Sequence, residues 1–181
     1  MAVPARKATS QMRVAPSACF PPLADPQARI LILGSLPGQT SLDRRQYYAQ
    51  PQNAFWRIMG SLFGAVPELG YDERVQRLMA SGVALWDVCA SACRPGSLDA
   101  SIVAGTVTPN EFGAFFARHP HIAMIAFNGA TAATLYGRHV HGSLDDPARR
   151  IPSVRLPSTS PAHASLSFDA KLALWKRDLA C

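Results

Sequence analysis

The chain has 181 residues, of which 48% are apolar and 17% are charged, and its formal net charge is +6. This length fits one domain with a sizeable core, and the lack of any apolar run of about 18 residues excludes a transmembrane helix. The basic N-terminal segment lacks the apolar core of a secretory signal. A positive charge is compatible with a polyanionic partner, but a soluble basic protein explains it equally well.

The four cysteines, Cys19, Cys89, Cys93 and Cys181, are spaced so that none forms a C-x-x-C pair. This spacing argues against a metal or cluster site, and without a secretion signal the thiols are expected to be reduced. We therefore expect a cytoplasmic protein that needs neither a metal nor another cofactor.

The first predicted element is a strand that ends in a Gly/Pro turn. Residues 1–27 are rich in proline and predict a flexible N-terminal tail without a regular element, ahead of one domain over residues 28–181. The apolar run that follows is too short for a helix and predicts a buried strand over residues 29–35. A polar and aromatic segment, residues 47–53, comes after the turn. Such a stretch is either an ordinary strand-to-helix loop or a ligand site at the end of a strand.

Strands and helices alternate through the rest of the chain. The predicted elements are a helix over about 53–63 that Gly64 ends, a helix over 72–80 capped by Asp72, a strand over 83–88, a helix over 109–118 capped by Thr108, a strand over 122–127, a helix over 130–139, a strand over 154–156 and a helix over about 165–179. Residues 89–109 are expected to be irregular and residues 147–152 to be a linker. The last helix is expected to expose Lys171, Lys176 and Arg177.

This alternation predicts an α/β fold, a single three-layer α/β/α domain around a four-stranded, mainly parallel sheet. Parallel strands place the loops at their carboxyl ends along one edge of the sheet. We therefore expect residues 35–38, Asp87, Asn128 and residues 158–163 to converge. Asp87 is a carboxylate at the end of an otherwise apolar strand, where unpaired burial would be costly. It is either a cap or salt-bridge partner, or it points into a site.

The residues at these loops do not match the motifs of common hydrolases or of dinucleotide-binding proteins. The sequence has no G-x-S-x-G elbow, no G-x-G-x-x-G and no phosphate-binding P-loop. Ser158, Thr159 and Ser160 offer hydroxyls that can hold a phosphate without a charge. Tyr48 offers a flat face for stacking, and Asn53 can orient a water molecule.

Two segments resemble the motifs of the uracil-DNA glycosylase superfamily. The first motif is G-S-L-P-G over residues 34–38 together with Y-Y-A-Q-P-Q-N-A-F-W over residues 47–56, and the second motif is L-P-S-T-S-P-A-H over residues 156–163. They are most similar to those of the hypoxanthine-DNA (deoxyinosine) glycosylase family, and the resemblance covers roughly residues 28–178. It implies a monofunctional enzyme of base excision repair that extrudes a deaminated base from DNA and hydrolyses its N-glycosidic bond.

The resemblance also implies roles for individual residues. Tyr48 would stack on the extruded base, and Asp87 occupies the strand-end position at which relatives have a base-reading Asn. Independently of the resemblance, Asn128 at the end of its strand can also form hydrogen bonds with a base. The loop residues around the base and the water would be Ser35, Leu36, Pro37 and Gly38. Ser158 and Ser160 would hold phosphate, with Thr159 or Ser160 near the gap that the base leaves, and His163 would touch phosphate or the leaving base. As a carboxylate, Asp87 would accept the lactam N–H that hypoxanthine and uracil share.

Leu36 departs from the pattern of many relatives, which have Asp or Asn before the proline of the first motif to position the attacking water. In the hypoxanthine branch this role is taken to fall on Asn53, which would align water without acting as a strong base; Asn53 could also simply cap the next helix. Two alternatives stay open: a uracil or mismatch-specific enzyme of the same fold, and a non-catalytic module that grips damaged DNA. We expect a monomer whose partner is DNA containing deaminated bases, with no membrane contact.

Overall fold

The structure is a computed structural model that describes residues 15–179. Its strands are β1 (Ser17–Ala18), β2 (Ile30–Gly34), β3 (Val83–Asp87), β4 (Cys89–Ala92), β5 (Thr108–Pro109), β6 (Met124–Asn128) and β7 (Ser153–Leu156). Its α-helices are α1 (Gln39–Arg44), α2 (Phe55–Phe63), α3 (Tyr71–Ala80), α4 (Phe112–Arg118), α5 (Ala130–His139), α6 (Asp146–Arg149) and α7 (Phe168–Leu179). Among these residues, no helix combines the length and apolarity needed to cross a membrane.

The main sheet of the described residues has four parallel strands in the order β3-β2-β6-β7. β2 is at its centre and is buried along its whole length, as expected for an apolar run without polar alternation. All four strands were predicted from the sequence, and the predicted four-stranded parallel sheet is confirmed. Their carboxyl ends therefore lie along one edge.

Helices cover the two faces of this sheet. Leu33 pairs with Trp86 and with Phe127, so these three side chains share one face. On that face the Trp86 ring lies 5.1 Å from the ring of Phe115 in α4, and the Phe127 ring lies 5.2 Å from that of Tyr136 in α5. Asp87 alternates to the opposite face. There it lies beside the segment that leads into α2, and α2 contacts α7. The arrangement is the predicted α/β/α fold.

A second, antiparallel sheet of the described residues, in the order β1-β4-β5, was not predicted. The expectation that residues 1–27 contain no element is wrong for β1, and Leu23 also forms a bridge with Leu85 of the main sheet. Residues 1–14 of the expected tail lie outside the described residues. Strands of two to four residues carry no periodicity, because tertiary contacts rather than local pattern create them.

Several helix boundaries differ from the predictions for local reasons. Thr108 and Pro109 pair with β4, so α4 begins at Phe112 instead of Pro109. Asp72 lies in the first turn of α3 and is not its cap, and α6 occupies part of the expected linker. Lys171 in α7 is buried, with its ammonium 3.4 Å from the carbonyl oxygen of Ser160, instead of being on the exposed face.

Candidate active site

A cleft of about 590 Å³ opens where the strands of the main sheet end. It is lined by every residue that the sequence suggested for a site: Ser35, Leu36, Pro37, Gly38, Tyr48, Asn53, Asp87, Asn128, Ser158, Thr159, Ser160 and His163. The predicted convergence of these loops is therefore confirmed. Their individual roles stay predictions, and the contacts below show what each side chain is free to do.

The floor of the cleft depends on a glycine at the end of β2. Gly34 pairs with Asp87, and a Cβ atom at Gly34 would overlap Oδ1 of Asp87 and lie 3.0 Å from the Tyr48 hydroxyl oxygen. The missing side chain therefore creates the space in which the carboxyl group and the phenol come together.

Asp87 is buried and lacks a compensating partner. It is 4% exposed, and its Oδ2 atom has no hydrogen-bond partner among the described residues. Burial, with a smaller contribution from the negative charge of Asp99, raises the pKa of Asp87 to about 8, against a smaller opposing effect of Arg94. Burying a lone carboxylate is unfavourable, so the proton is retained at neutral pH.

Tyr48 combines an unusual backbone with a buried hydroxyl. Its φ of 53° lies in the left-handed region, which costs a non-glycine residue about 1–2 kcal/mol and is concentrated at functional sites. Its ring stacks on Phe55 with 3.9 Å between the centroids and 18° between the planes. One face of the phenol is thus covered, and only the other face can receive a base. Burial raises the pKa of the Tyr48 hydroxyl, so the group stays neutral.

Asn53 lies at the cleft and also secures the start of α2. Its Oδ1 atom accepts a hydrogen bond of 3.0 Å from the backbone N–H of Phe55, which fixes the orientation of the amide. Ala54 follows Asn53 in the chain, and its backbone N–H donates to the carbonyl oxygen of Thr159 at 3.0 Å. This bond joins the two motifs directly beside Asn53. Ala54, not Asn53, is the N-cap of α2, so the suggested capping role is wrong; the bond to Phe55 instead orders the residues that lead into the helix, which is compatible with a place at the cleft.

The second motif is held by a reciprocal pair of hydrogen bonds. The Asn128 amide nitrogen donates to Oγ1 of Thr159, and the Thr159 backbone N–H donates to Oδ1 of Asn128, both at 2.9 Å. A base contact by Asn128 would have to compete with these bonds. Thr159 is 1% exposed, so of the two residues suggested for the gap in the DNA, Ser160 is the accessible one.

The remaining hydroxyls of the second motif are oriented by their own loop. Oγ of Ser158 accepts the N–H of Ser160, and Oγ of Ser160 accepts the N–H of Ala162, each at 3.2 Å. Each hydroxyl keeps its own O–H for donation. Trp175 of α7 supports the loop from behind, since its indole N–H donates to the carbonyl oxygen of Pro157 at 2.9 Å. His163 lines the same rim.

Arg94 is a buried residue of the site that the sequence analysis did not identify. Its guanidinium donates to the carbonyl oxygens of Leu36, at 3.0 Å, and of Pro37, and it pairs with the Asp99 carboxylate at 3.3 Å. These bonds fix the backbone of the first motif, while the side chain of Leu36 is itself buried. The available signal was an arginine in the Gly/Pro segment that follows β4, a context that usually indicates an exposed loop.

The segment from Arg94 to Asp99 forms a third wall that the sequence analysis also missed. Burial raises the pKa of Asp99, against smaller opposing effects of Ser35 and Arg94, and Oγ of Ser97 accepts the backbone N–H of Gln39 at 3.1 Å. Leu98 is 58% exposed at the rim of the cleft. The cleft therefore combines a buried carboxyl group, a neutral phenol, a fixed amide and oriented hydroxyls, a set that can bind a polar ring and a phosphate at the same time.

Comparison with known proteins assigns this fold and cleft to one enzyme class. A model of the uracil DNA glycosylase superfamily matches residues 21–179, which is most of the chain. The chain therefore belongs to the uracil DNA glycosylase superfamily and is a DNA glycosylase.

Particular relatives narrow the comparison. A protein of Methanosarcina barkeri (strain Fusaro / DSM 804) named hypoxanthine DNA glycosylase is 38% identical over 111 residues, covering 61% of this chain and 69% of that protein. A protein of the same name from Methanosarcina acetivorans is 37% identical over 114 residues, covering 62% and 71%. The solution NMR structure of a proposed uracil DNA glycosylase from Methanosarcina acetivorans superimposes with a TM-score of 0.69 at 30% identity, covering 90% of this chain and 98% of that one.

Proposed function

We propose that this protein is a monofunctional hypoxanthine-DNA glycosylase, which hydrolyses the N-glycosidic bond of deoxyinosine in DNA as the first step of base excision repair. The observation that carries the proposal is the shared cleft: Asn53 of the first motif and Ser158, Ser160 and His163 of the second line one cavity, joined by the bond from Ala54 to Thr159. The names of the Methanosarcina relatives support hypoxanthine as the base.

The depth of the cleft suits an extruded nucleotide. A glycosylase must take the target nucleotide out of the helix, because the glycosidic carbon is inaccessible within the base stack. The base would enter between the free face of Tyr48 and the loop of residues 35–38, whose backbone Arg94 fixes. The hydroxyls of Ser158 and Ser160, with His163, would bind the adjacent phosphates through hydrogen bonds.

The cleft favours a reaction led by departure of the base. Leu36 cannot orient or deprotonate water, and an amide such as Asn53 is not a strong base. Oδ1 of Asn53 holds the Phe55 N–H with one lone pair and keeps a second, while its NH₂ group can donate. Asn53 would therefore align a water molecule against an electron-deficient sugar carbon that forms as the bond to the base breaks. Positioning of this kind contributes substantially to rate.

A panel of duplexes, each with a single lesion, tests the proposal. Inosine, uracil and mismatched pyrimidines are compared in excision assays under single-turnover conditions, with Asn53→Ala as the catalytic variant. We expect the fastest release from inosine and a strongly reduced rate for the variant. An Asn53→Ala protein as active as the parent would remove Asn53 from the mechanism.

Uracil is the second candidate substrate, because the superimposed Methanosarcina acetivorans structure is described as that of a proposed uracil DNA glycosylase. Uracil presents the same lactam edge as hypoxanthine but fills less of the cleft. Faster release of uracil than of hypoxanthine in the same panel would identify uracil as the preferred substrate. Tight, salt-sensitive DNA binding without release of any base would instead indicate a binding module.

A further inference from the structure

We propose that Asp87 acts as a neutral carboxylic acid that donates a hydrogen bond to the departing base, so that it stabilises the negative charge that the base acquires. This inference rests on the proposed function and adds to it the protonation state and the task of one group. It replaces the expectation from the sequence that Asp87 accepts a lactam N–H as a carboxylate.

The position of Asp87 provides the geometric argument. Asp87 is one of the residues that line the cleft, at the end of β3; it is 4% exposed, and its Oδ2 atom is buried without a hydrogen-bond partner in residues 15–179. The nearby cation, Arg94, directs its donors at Leu36, Pro37, Gly96 and Asp99, and none of its hydrogen bonds goes to Asp87. A buried polar group that faces a cavity and lacks a partner is a candidate for ligand contact.

The surrounding groups favour the neutral form. Asp99 faces Asp87 with a like charge, and Arg94 opposes it only partly. The other titratable groups whose charged forms would interact with Asp87 are two phenols and two thiols, whose pKa values are all raised by burial: Tyr47, Tyr48, Cys19 and Cys89. They are uncharged at neutral pH, and His163 lines the cleft as part of the second motif. With a pKa of about 8, Asp87 is mostly protonated at pH 7.

Cleavage of the glycosidic bond places negative charge on the base, and the protonated carboxyl group of Asp87 can stabilise that charge. When the bond between C1′ and N9 breaks, its electron pair passes to the purine and the charge spreads over the ring nitrogens and the carbonyl oxygen. A carboxylate beside these atoms would repel that charge, whereas an O–H donor stabilises it where it develops. Water then adds to the sugar carbon, and the proton that it loses neutralises the base. Asp87 therefore ends the cycle in the state in which it began.

Protonation of Asp87 also changes which bases this side chain can pair with. Its adjacent O–H and C=O match the C=O and N–H of a lactam, as the amide of an asparagine would. By exchanging the two oxygens, the same group can pair with adenine, so Asp87 would not exclude normal bases. Its contribution is to the rate of base departure, and selection would rest on how readily each base leaves and on the fit of the cleft.

Two substitutions distinguish a donor from a carboxylate. Asp87→Asn keeps the shape and one donor, whereas Asp87→Ala removes both. In single-turnover excision from an inosine duplex, we expect Asp87→Asn to retain activity within about tenfold and Asp87→Ala to lose about 100-fold or more, the cost of removing one donor to a developing charge. The wild-type rate should be level below pH 7 and fall about tenfold per pH unit above about 8, whereas that of Asp87→Asn should stay level.

A rate that is constant up to pH 10, or an Asp87→Asn variant as inactive as Asp87→Ala, would overturn the proposal while leaving the proposed function intact. Thermal unfolding without DNA gives a readout that does not need activity. Because the folded protein holds this proton up to about pH 8 and the unfolded chain loses it near 3.8, the group weakens stability as the pH rises through that window.

The melting temperature of Asp87→Asn should therefore exceed that of the wild type by a margin that grows between about pH 4 and pH 8. A margin that does not change over this window contradicts a neutral Asp87. If the margin grows but no lesion is released, the proposed function fails and the catalytic task of Asp87 fails with it. The two failures are thus distinguishable.

Discussion

Two of the three walls of the cleft, those formed around the first and the second motif, are built in opposite ways. On the side of the first motif, Asp87 has an oxygen without a partner and Tyr48 has a left-handed backbone. On the side of the second motif, Asn128 and Thr159 satisfy each other through two bonds, and Trp175 supports the loop from behind. In the proposed function, a base would complete the first wall, whereas the second wall, whose polar groups are already hydrogen-bonded, would offer hydroxyls to the DNA backbone. The proposed function therefore assigns release of the base and binding of the DNA backbone to different walls of one cleft.

The largest effect on the excision rate is expected from adding a methyl group to the first wall, at Gly34. Gly34→Ala would place Cβ against Oδ1 of Asp87, so either Asp87 or Tyr48 must move. We expect at least about a 100-fold loss of excision rate and about 2 kcal/mol lower stability, as for other overpacked sites. Single-turnover kinetics and chemical denaturation measure the two effects.

Gly38→Ala is the matched control in the same loop. Its φ is −70° and its nearest contact would be Ser97 at 3.9 Å, so a methyl group fits. The excision rate of this variant should therefore fall much less than that of Gly34→Ala. Equal losses for both variants would show that the loop tolerates no change, and the special importance of the Gly34–Asp87 contact would be lost.

The next largest effect concerns Asn53, whose structural and catalytic contributions can be separated. Asn53→Ser keeps a side-chain oxygen for the Phe55 N–H but removes the amide, and Asn53→Ala removes both. We expect both variants to lose about 100-fold in rate, because positioning of the water is lost. Only Asn53→Ala should also lose about 1 kcal/mol of stability. An Asn53→Ser protein with wild-type rates would reduce Asn53 to a structural support for the start of α2.

A smaller effect is expected on the second wall, and it should fall on stability. Asn128→Ala leaves the buried N–H and hydroxyl of Thr159 without partners, which costs about 2 kcal/mol of unfolding free energy. Thr159→Val, which keeps the shape and the backbone bond, should cost less. Urea denaturation measures both. If Asn128→Ala were as stable as the wild type but lost base release, Asn128 would belong with the base-contacting wall instead.

The smallest effect is expected for the phosphate hydroxyls. Ser160→Ala should weaken binding to an inosine duplex by about fivefold, the value of one hydrogen bond of about 1 kcal/mol. Because no charge is removed, the slope of affinity against salt concentration should not change. Ser61→Ala, at an exposed position whose hydroxyl bonds only within α2, is the control. An altered salt slope would contradict phosphate binding by neutral donors.

The sequence predicted the parts of the molecule that local pattern determines. β2, β3 and β6 are apolar runs that end at glycine or a polar residue, and β7, which contains Ser153 and Arg155, was predicted from the short segment 154–156, so the parallel sheet and the convergence of its loops followed directly. Most of the suggested site residues followed from the two motifs, and Asp87 and Asn128 followed from their places at strand ends. β1, β4 and β5 were missed because such short strands form only when distant segments meet.

Burial explains the remaining differences within the site. Arg94 is the kind of residue usually found in solvent, and its bonds to Leu36 and Pro37 depend on how two loops meet. The burial of Thr159 and the raised pKa of Asp87 likewise arise from the packed cleft and not from neighbours in sequence. Residue type and spacing indicated which side chains gather, but not which of them keep a proton or are already hydrogen-bonded.

The most direct test of the central claim is a product analysis on a duplex that contains one deoxyinosine. Mass spectrometry would quantify the free base, and gel electrophoresis would follow the strand before and after alkali. The account predicts one free hypoxanthine for each abasic site, with the strand intact until alkali is added. Absence of free hypoxanthine under single-turnover conditions, or strand cleavage without alkali, would contradict it.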